Sequence, residues 1–72
     1  MSYCVILRLK ELLEERGITQ KKLAELAGMR ESTISDIVRG TRTVINFDHL
    51  GKIATALDID DIRLIIDLKE QQ

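Results

Sequence analysis

The feature that most constrains this fold is a pair of short amphipathic segments joined at Gly28, within residues 18–40 of the chain. The first segment is predicted to be a helix beginning at Gln20, because the Thr19 hydroxyl can cap the free backbone amides of a first turn. Gly28 is predicted to end this helix, since glycine adopts a left-handed backbone at little cost. The apolar side of the helix is predicted to consist of Leu23, Leu26 and Ala27.

The second segment is predicted to form a helix from Glu31 to Arg39, which Gly40 ends. Its apolar residues recur at intervals of three and four positions, and they are Ile34, Ile37 and Val38. The opposite side of this helix carries no large apolar residue; it consists of Glu31, Ser32, Ser35, Asp36 and Arg39. This side is therefore expected to face outward and not to join the core.

Two short helices with a tight glycine turn between them form a helix-turn-helix, whose second helix can lie in the major groove of DNA. The stretch closely resembles the Cro/repressor (XRE) helix-turn-helix family. The matching residues are Gln20, Ala24, Gly28, Ile34 and Ile37. The resemblance implies one all-α, five-helix, repressor-like domain over residues 1–72, with its helix-turn-helix core at residues 19–39.

The other helices of this domain are predicted from the same periodicity. One begins near Arg8 and ends at Gly17, with an apolar side of Leu9, Leu12 and Leu13. Another is capped by Asn46, spans Phe47–Leu57 and ends at Asp58, with a predicted buried side of Phe47, Leu50, Ile53, Ala54 and Leu57. Gly51 within it suggests a close contact with a neighbouring element. Asp60 is expected to cap a short fifth helix.

The two ends of the chain are apolar and rich in β-branched residues. Residues 1–7 either begin the first helix or form a short strand before it, and a second short strand is plausible from about Leu64. The two segments could pair within one chain or with the same segments of a second chain. Because apolar termini on so small a domain suggest a contact surface, we expect a homodimer formed through them.

Composition argues against several other classes of protein. The single cysteine, Cys4, is expected to be a small buried hydrophobe, and the chain lacks a Cys/His cluster of zinc-binding spacing. No nucleophile and base are arranged for catalysis, and no stretch approaches the ~20 apolar residues of a membrane span. We therefore expect a cytoplasmic protein that is not an enzyme and that needs no cofactor or metal. The single histidine, His49, is expected on the surface.

The net charge of −1 is distributed unevenly along the chain. Residues 16–42 carry six basic and three acidic side chains, whereas residues 43–72 carry three basic and six acidic ones. A domain with this distribution can present its positive side to phosphate and keep its acidic side in water.

The family resemblance assigns DNA-contacting roles by position. Glu31, Ser32 and Asp36 stand where the family places base-reading side chains, with Ser35 beside them and Thr33 turned toward the DNA backbone. Gln20, Arg39 and Arg42 match positions that contact the DNA backbone in the family. Lys21 and Lys22 could add phosphate contacts or could equally be solvated charges on an exposed helix face. Arg30 replaces the small capping residue that is usual in the family, and it could reach a phosphate instead.

Two functions therefore remain open from the sequence. The first is a sequence-specific regulator of transcription that binds double-stranded DNA. The second is a protein-interaction module, such as an antitoxin or accessory subunit, that uses the same fold. The carboxylates of Glu31 and Asp36 favour the second function because they repel phosphate, although a carboxylate can also accept a hydrogen bond from cytosine N4.

Overall fold

A computed structural model describes residues 1–41 and 44–71 of the chain. A strand, β1 (Ser2–Leu7), is followed by four α-helices and a second strand, β2 (Ile66–Gln71). The helices are α1 (Leu9–Arg16), α2 (Gln20–Ala27), α3 (Glu31–Arg39) and α4 (Phe47–Leu57). A single 3-10 turn, Ile62–Leu64, connects α4 to β2. No helix in the described part of the chain is both long enough and apolar enough to cross a membrane.

One aliphatic core joins the four helices. Its most deeply buried side chains come from every helix and from the residue before β2: Leu9, Leu23, Ile34, Ile53 and Ile65. Leu12 and Leu13 complete the predicted buried side of α1, which confirms that prediction. The guanidinium of Arg16 donates a hydrogen bond to the backbone carbonyl of Leu57, so the C-terminal ends of α1 and α4 are linked.

The predicted ends of the helices are confirmed. The backbone is left-handed at Gly17, Gly28 and Gly40, with φ of 66°, 65° and 66°. Asp58 adopts the same conformation at the end of α4, with φ of 53°. Asn46 caps α4 by accepting hydrogen bonds from two backbone amides, at 2.7 and 3.4 Å.

The terminal strands pair with each other within one chain. They run antiparallel, with Leu7 opposite Ile66, Val5 opposite Leu68 and Tyr3 opposite Glu70. The sheet joins the helices at its inner end, where the backbone amide of Arg8 donates to the carbonyl of Ile65 at 2.6 Å. We refer to this two-stranded sheet, residues 2–7 and 66–71, as the ribbon. Cys4 in β1 is half-buried and not fully buried as predicted.

The prediction of five helices is wrong. The segment after α4 makes only the three-residue 3-10 turn, and its cap is Asp61 rather than Asp60, since the Asp61 carboxylate accepts from the Arg63 amide at 3.0 Å. The physical reason is that the residues from Ile66 onward pair with β1 as a strand. A longer helix would remove them from the sheet.

Three predictions about individual side chains are also wrong. Phe47 is 84% exposed, because it is the first residue of α4 and the buried side of this helix begins one turn later, at Leu50. Leu26 is 51% exposed, since the buried stripe of α2 passes through Leu23 and the small Ala24 instead. Gly51 makes no close approach, because a Cβ atom built there would meet nothing within 4 Å.

Candidate nucleic-acid interface

The turn between α2 and α3 is built by local backbone bonds. Gly28 ends α2 in a left-handed conformation, and the next amide, that of Met29, donates to the Ala24 carbonyl at 2.9 Å. The chain then re-enters a helix at Glu31 after Arg30, whose backbone is extended. This geometry turns the chain within three residues, so that α2 and α3 pack directly against each other.

Packing fixes which side of α3 faces outward. Ile34 is fully buried and Ile37 is 4% exposed, and both lie against Leu23 and Ala24 of α2 within the same core. Val38 is half-buried beside them. Because these residues occupy the inner side, the polar side of α3 is directed away from the body of the protein.

The predicted site residues on α3 share this outer side but differ in exposure. Glu31, Ser32 and Arg39 are exposed. Thr33, Ser35 and Asp36 are half-buried, so their side chains lie at the edges of the exposed strip.

Asp36 and Arg39 form an ion pair. The Arg39 Nη2 atom donates to the Asp36 Oδ1 atom at 2.6 Å, as the spacing of three residues predicts. The Arg39 side chain is still 61% exposed, whereas that of Asp36 is 29% exposed. The guanidinium is therefore held at the C-terminal end of α3 while much of it faces water.

The N-terminus of α2 brings together a cap and several polar side chains. Thr19 caps the helix, since its Oγ1 atom accepts from the Lys22 amide at 3.0 Å. Gln20 is half-buried and lines a shallow hollow with Ile18 and Val38, next to the inner side of α3. Lys21 and Lys22 are exposed. Free backbone amides at such a helix end favour an anion.

The two helices of this unit are capped differently. Thr19 supplies a side-chain cap for α2, but Arg30 at the equivalent position of α3 makes no capping hydrogen bond. The Arg30 side chain is exposed. The first turn of α3 thus lacks about 0.5–2 kcal/mol that a Ser or Thr cap would contribute, and the position instead carries a positive charge.

Arg42, which was also predicted to contact DNA, lies outside the described residues, as does Thr43. Thr41 in the same loop is described, and its hydroxyl donates to the Asp36 carbonyl at 3.4 Å. This hydrogen bond joins the loop to the C-terminal end of α3.

A groove beside α3 was also missed. It lies between the inner end of the ribbon and the start of α4, and has a volume of about 460 Å³. The residues along it that matter here are Asp36, Ile37, Val44, Ile45 and His49. We call this the α3–α4 groove. His49 is half-buried in it rather than freely exposed; the only sequence signal was its position in the first turn of α4.

Fold and site together define a small helix-turn-helix protein with a polar, outward-facing second helix. The family model described as "Helix-turn-helix" matches residues 9–62. The chain therefore belongs to this helix-turn-helix family, and the Cro/repressor type predicted from its sequence is confirmed. The ribbon strands lie outside the matched residues.

Two curated relatives support the assignment. The chain is 31% identical over 64 residues to the HTH-type transcriptional regulator SinR of Bacillus subtilis (strain 168). This alignment covers 89% of this chain and 57% of the relative. It is 35% identical over 52 residues to the regulator of the same name from Bacillus licheniformis, covering 72% of this chain and 47% of the relative. The chain thus spans about half the length of these relatives. No solved structure gives a significant match.

Proposed function

We propose that this chain is a cytoplasmic, sequence-specific regulator of transcription that binds double-stranded DNA through α3. The observation that carries the proposal is the division of α3 into two sides. Ile34 and Ile37 hold the inner side in the core, and the outer side presents only polar and charged groups. A helix mounted in this way can enter a major groove without losing its own packing. The names of the two relatives point the same way.

The roles of the site residues follow from their positions on this unit. We assign base contacts to the outer side of α3, from Glu31, Ser32 and Asp36 with Ser35 beside them, and backbone contact to Thr33. We assign phosphate contacts to the residues at the helix ends and in the following loop: Gln20, Lys21, Arg30, Arg39 and Arg42. Phosphate contacts position the protein, whereas base contacts select the sequence.

The Asp36–Arg39 ion pair shapes this surface. Asp36 lowers the local positive charge, but it also orients the Arg39 guanidinium at the end of the helix. A guanidinium with 61% of its side chain exposed can still reach a phosphate while one of its nitrogens remains bonded to Asp36. Arg39 therefore contributes affinity that falls as salt rises.

We also propose that the regulator acts as a homodimer formed through its terminal segments. Large apolar side chains of both strands remain exposed in the monomer, notably Tyr3, Val5 and Leu68. A two-fold protein would bind two half-sites about one helical turn apart. Both the dimer and its site are expectations that solution experiments can test.

The test is fluorescence anisotropy with the DNA upstream of the protein's own gene against a scrambled duplex, at low and moderate salt. The wild-type protein should prefer the upstream duplex, and its affinity should fall with salt. Gln20→Ala and Arg39→Ala should weaken binding to every sequence, and Ser32→Ala should change the preference between sequences.

Arg63→Ala is the matched control for Arg39→Ala. Arg63 also pairs with an aspartate, Asp61, at 2.9 Å, but it lies in the acidic half of the chain. Removing either arginine changes the net charge equally. If the two variants lose affinity to the same extent, the effect is one of net charge and the placement of α3 on DNA is wrong.

A second candidate function is a protein-interaction module. The exposed carboxylate of Glu31 at the start of α3 favours it, because a carboxylate repels the phosphates of DNA. Absence of binding to either duplex at low salt, with a folded protein, would support this function over the first.

A further inference from the structure

The ribbon is an addition to the family's helical unit, and its two faces differ. In an antiparallel sheet, directly opposed residues point to the same side. One side therefore carries Tyr3, Val5 and Leu7 from β1 with Ile66 and Leu68 from β2, and we call it the apolar ribbon face. The opposite side is mixed: it carries the polar residues Ser2, Asp67, Lys69 and Gln71 together with Cys4 and Ile6.

Most of the apolar ribbon face is uncovered. Leu7 and Ile66 at its inner end are half-buried, and Leu7 packs against the helical core. In contrast, Tyr3, Val5 and Leu68 are 61%, 63% and 64% exposed. A two-stranded sheet alone is marginally stable in water. A contiguous apolar surface on such an element marks an interaction site.

The apolar ribbon face continues directly into the α3–α4 groove. Val5, Leu7 and Ile66 line that groove, together with Ile37, Val44 and Ile45. Val44 is 80% exposed at its rim. The molecule thus presents an apolar ridge, the outer half of the ribbon, next to an apolar groove.

We propose that a second copy of this chain covers this surface, with the ridge of each copy seated in the groove of the other. A surface that contains both a ridge and a matching groove is self-complementary, which is the requirement for a two-fold interface. The inference deepens the proposed homodimer and rests on it, because it names the face by which the copies meet.

Charge favours a second copy over nucleic acid or a membrane. The strand residues 2–7 and 66–71 place no Lys or Arg on the apolar ribbon face, and the described residues of the groove include none either. Both DNA and anionic lipid surfaces require such residues.

The described residues of this surface carry two acidic groups: Glu70 lies opposite Tyr3 at the outer end of the ribbon, and Asp36 in the groove is paired with Arg39 of its own helix. When two such surfaces meet in opposite directions, the outer end of one ribbon lies over the inner end of the other.

The area buried between two copies distinguishes a dimer joined through the apolar ribbon faces from one joined through the strand edges. A six-residue strand is about 20 Å long, so pairing one edge of each ribbon would bury little side-chain surface and leave the apolar face in water. A stable interface buries roughly 800 Å² on each partner. Contact through both ridge and groove covers more side-chain surface than pairing of the strand edges does.

The test is the self-association of the full chain, without DNA, by sedimentation equilibrium from micromolar to near-millimolar concentration. Leu68→Lys introduces a charge at the centre of the ridge, where it opposes Val5. We expect its dimer dissociation constant to rise about tenfold or more, because each interface contains the change twice. Tyr3→Ser at the outer end should weaken the dimer in the same direction.

Ile62→Lys is the matched control. Ile62 is an apolar residue with 57% exposure in a different groove, beside α4, that includes Phe47 and Gly51. Its replacement should leave the dimer dissociation constant unchanged. Circular dichroism of each variant verifies that the helices remain folded.

Three results would overturn the inference. A wild-type chain that stays monomeric at every concentration has no such interface. Dissociation by Ile62→Lys but not by Leu68→Lys would place the interface on α4. A dimer that neither Leu68→Lys nor Tyr3→Ser weakens does not use the apolar ribbon face. A dimer that behaves as expected but does not bind DNA would contradict only the proposed function.

Discussion

The helical body and the ribbon are held together by different means. Every fully buried side chain among the described residues lies in a helix or at Ile65, just before β2. No strand residue is fully buried, and the ribbon depends on its backbone ladder, its inner apolar pair and contacts at Arg8. The family match covers the first region and stops before the second. The helices are thus joined by a common core, whereas the outer half of the ribbon leaves its apolar side chains exposed.

The largest expected effect compares two apolar β-branched residues, one from each region. Ile34→Ala should lower the free energy of unfolding by about 2–5 kcal/mol, because Ile34 is fully buried on the inner side of α3. For a chain of this length that is a large part of the roughly 4–11 kcal/mol available. Urea denaturation followed by circular dichroism measures the loss.

Val5→Ala is the control for this comparison. Val5 is 63% exposed, so at monomeric concentration its truncation should cost well under about 1 kcal/mol. Equal losses in the two variants would mean that the ribbon belongs to the same cooperative core as the helices.

A second prediction concerns a substitution that should make the helical body more stable. Gly51→Ala should raise the free energy of unfolding by about 1 kcal/mol, because alanine is the better helix former and a new Cβ meets nothing within 4 Å. The corresponding rise in Tm is about 4–8 °C. A fall in Tm, measured in dilute monomer by differential scanning calorimetry, would show that Gly51 is required for packing.

A third prediction compares the two helices of the helix-turn-helix. Arg30→Ser should stabilise the fold by about 0.5–1 kcal/mol, since it supplies the cap that α3 lacks. Thr19→Ala should cost a similar amount, because it removes the existing cap of α2. Thermal unfolding measures both changes.

The Arg30→Ser variant also tests the proposed phosphate contact. If Arg30 contacts the DNA backbone, the more stable protein should bind DNA more weakly, and the difference should shrink at high salt. Stability and affinity that rise together would contradict that role.

The smallest expected effect concerns the ion pair between Asp67 in the ribbon and Arg8, the residue before α1. The backbone amide of Leu68 and the guanidinium of Arg8, 2.9 Å away, hold the pKa of Asp67 below its ordinary value. A carboxyl with a lowered folded-state pKa stabilises the fold above its unfolded pKa, and this contribution is lost as pH falls through the folded value. Asp67→Asn should therefore be slightly less stable than wild type at neutral pH.

The pH dependence provides the check. The Tm difference between Asp67→Asn and wild type should persist down to about pH 4 and vanish at more acidic pH. Asp60→Asn is the control, because the described residues give Asp60 no hydrogen-bond or ion-pair partner. A Tm difference that is constant at all pH values would mean that the charge of Asp67 is irrelevant.

The sequence alone determined the helical body. Periodicity located α1 to α4. The residues that end each helix could also be predicted, because a left-handed backbone and a side-chain cap depend only on neighbouring residues. The Asp36–Arg39 pair was predictable for the same reason, since it depends only on helical spacing. The family resemblance added the DNA-contacting residues, which remain a prediction.

Tertiary structure decided the rest. Whether the apolar ends pair within one chain, and whether residues after α4 form a helix or a strand, depends on contacts between positions 59 or more residues apart. Exposure of Phe47 and Leu26 likewise depends on where neighbouring helices end, which periodicity does not contain. Local rules specify a helix and its apolar stripe, but only packing determines how much of that stripe is covered and which surface is left for a partner.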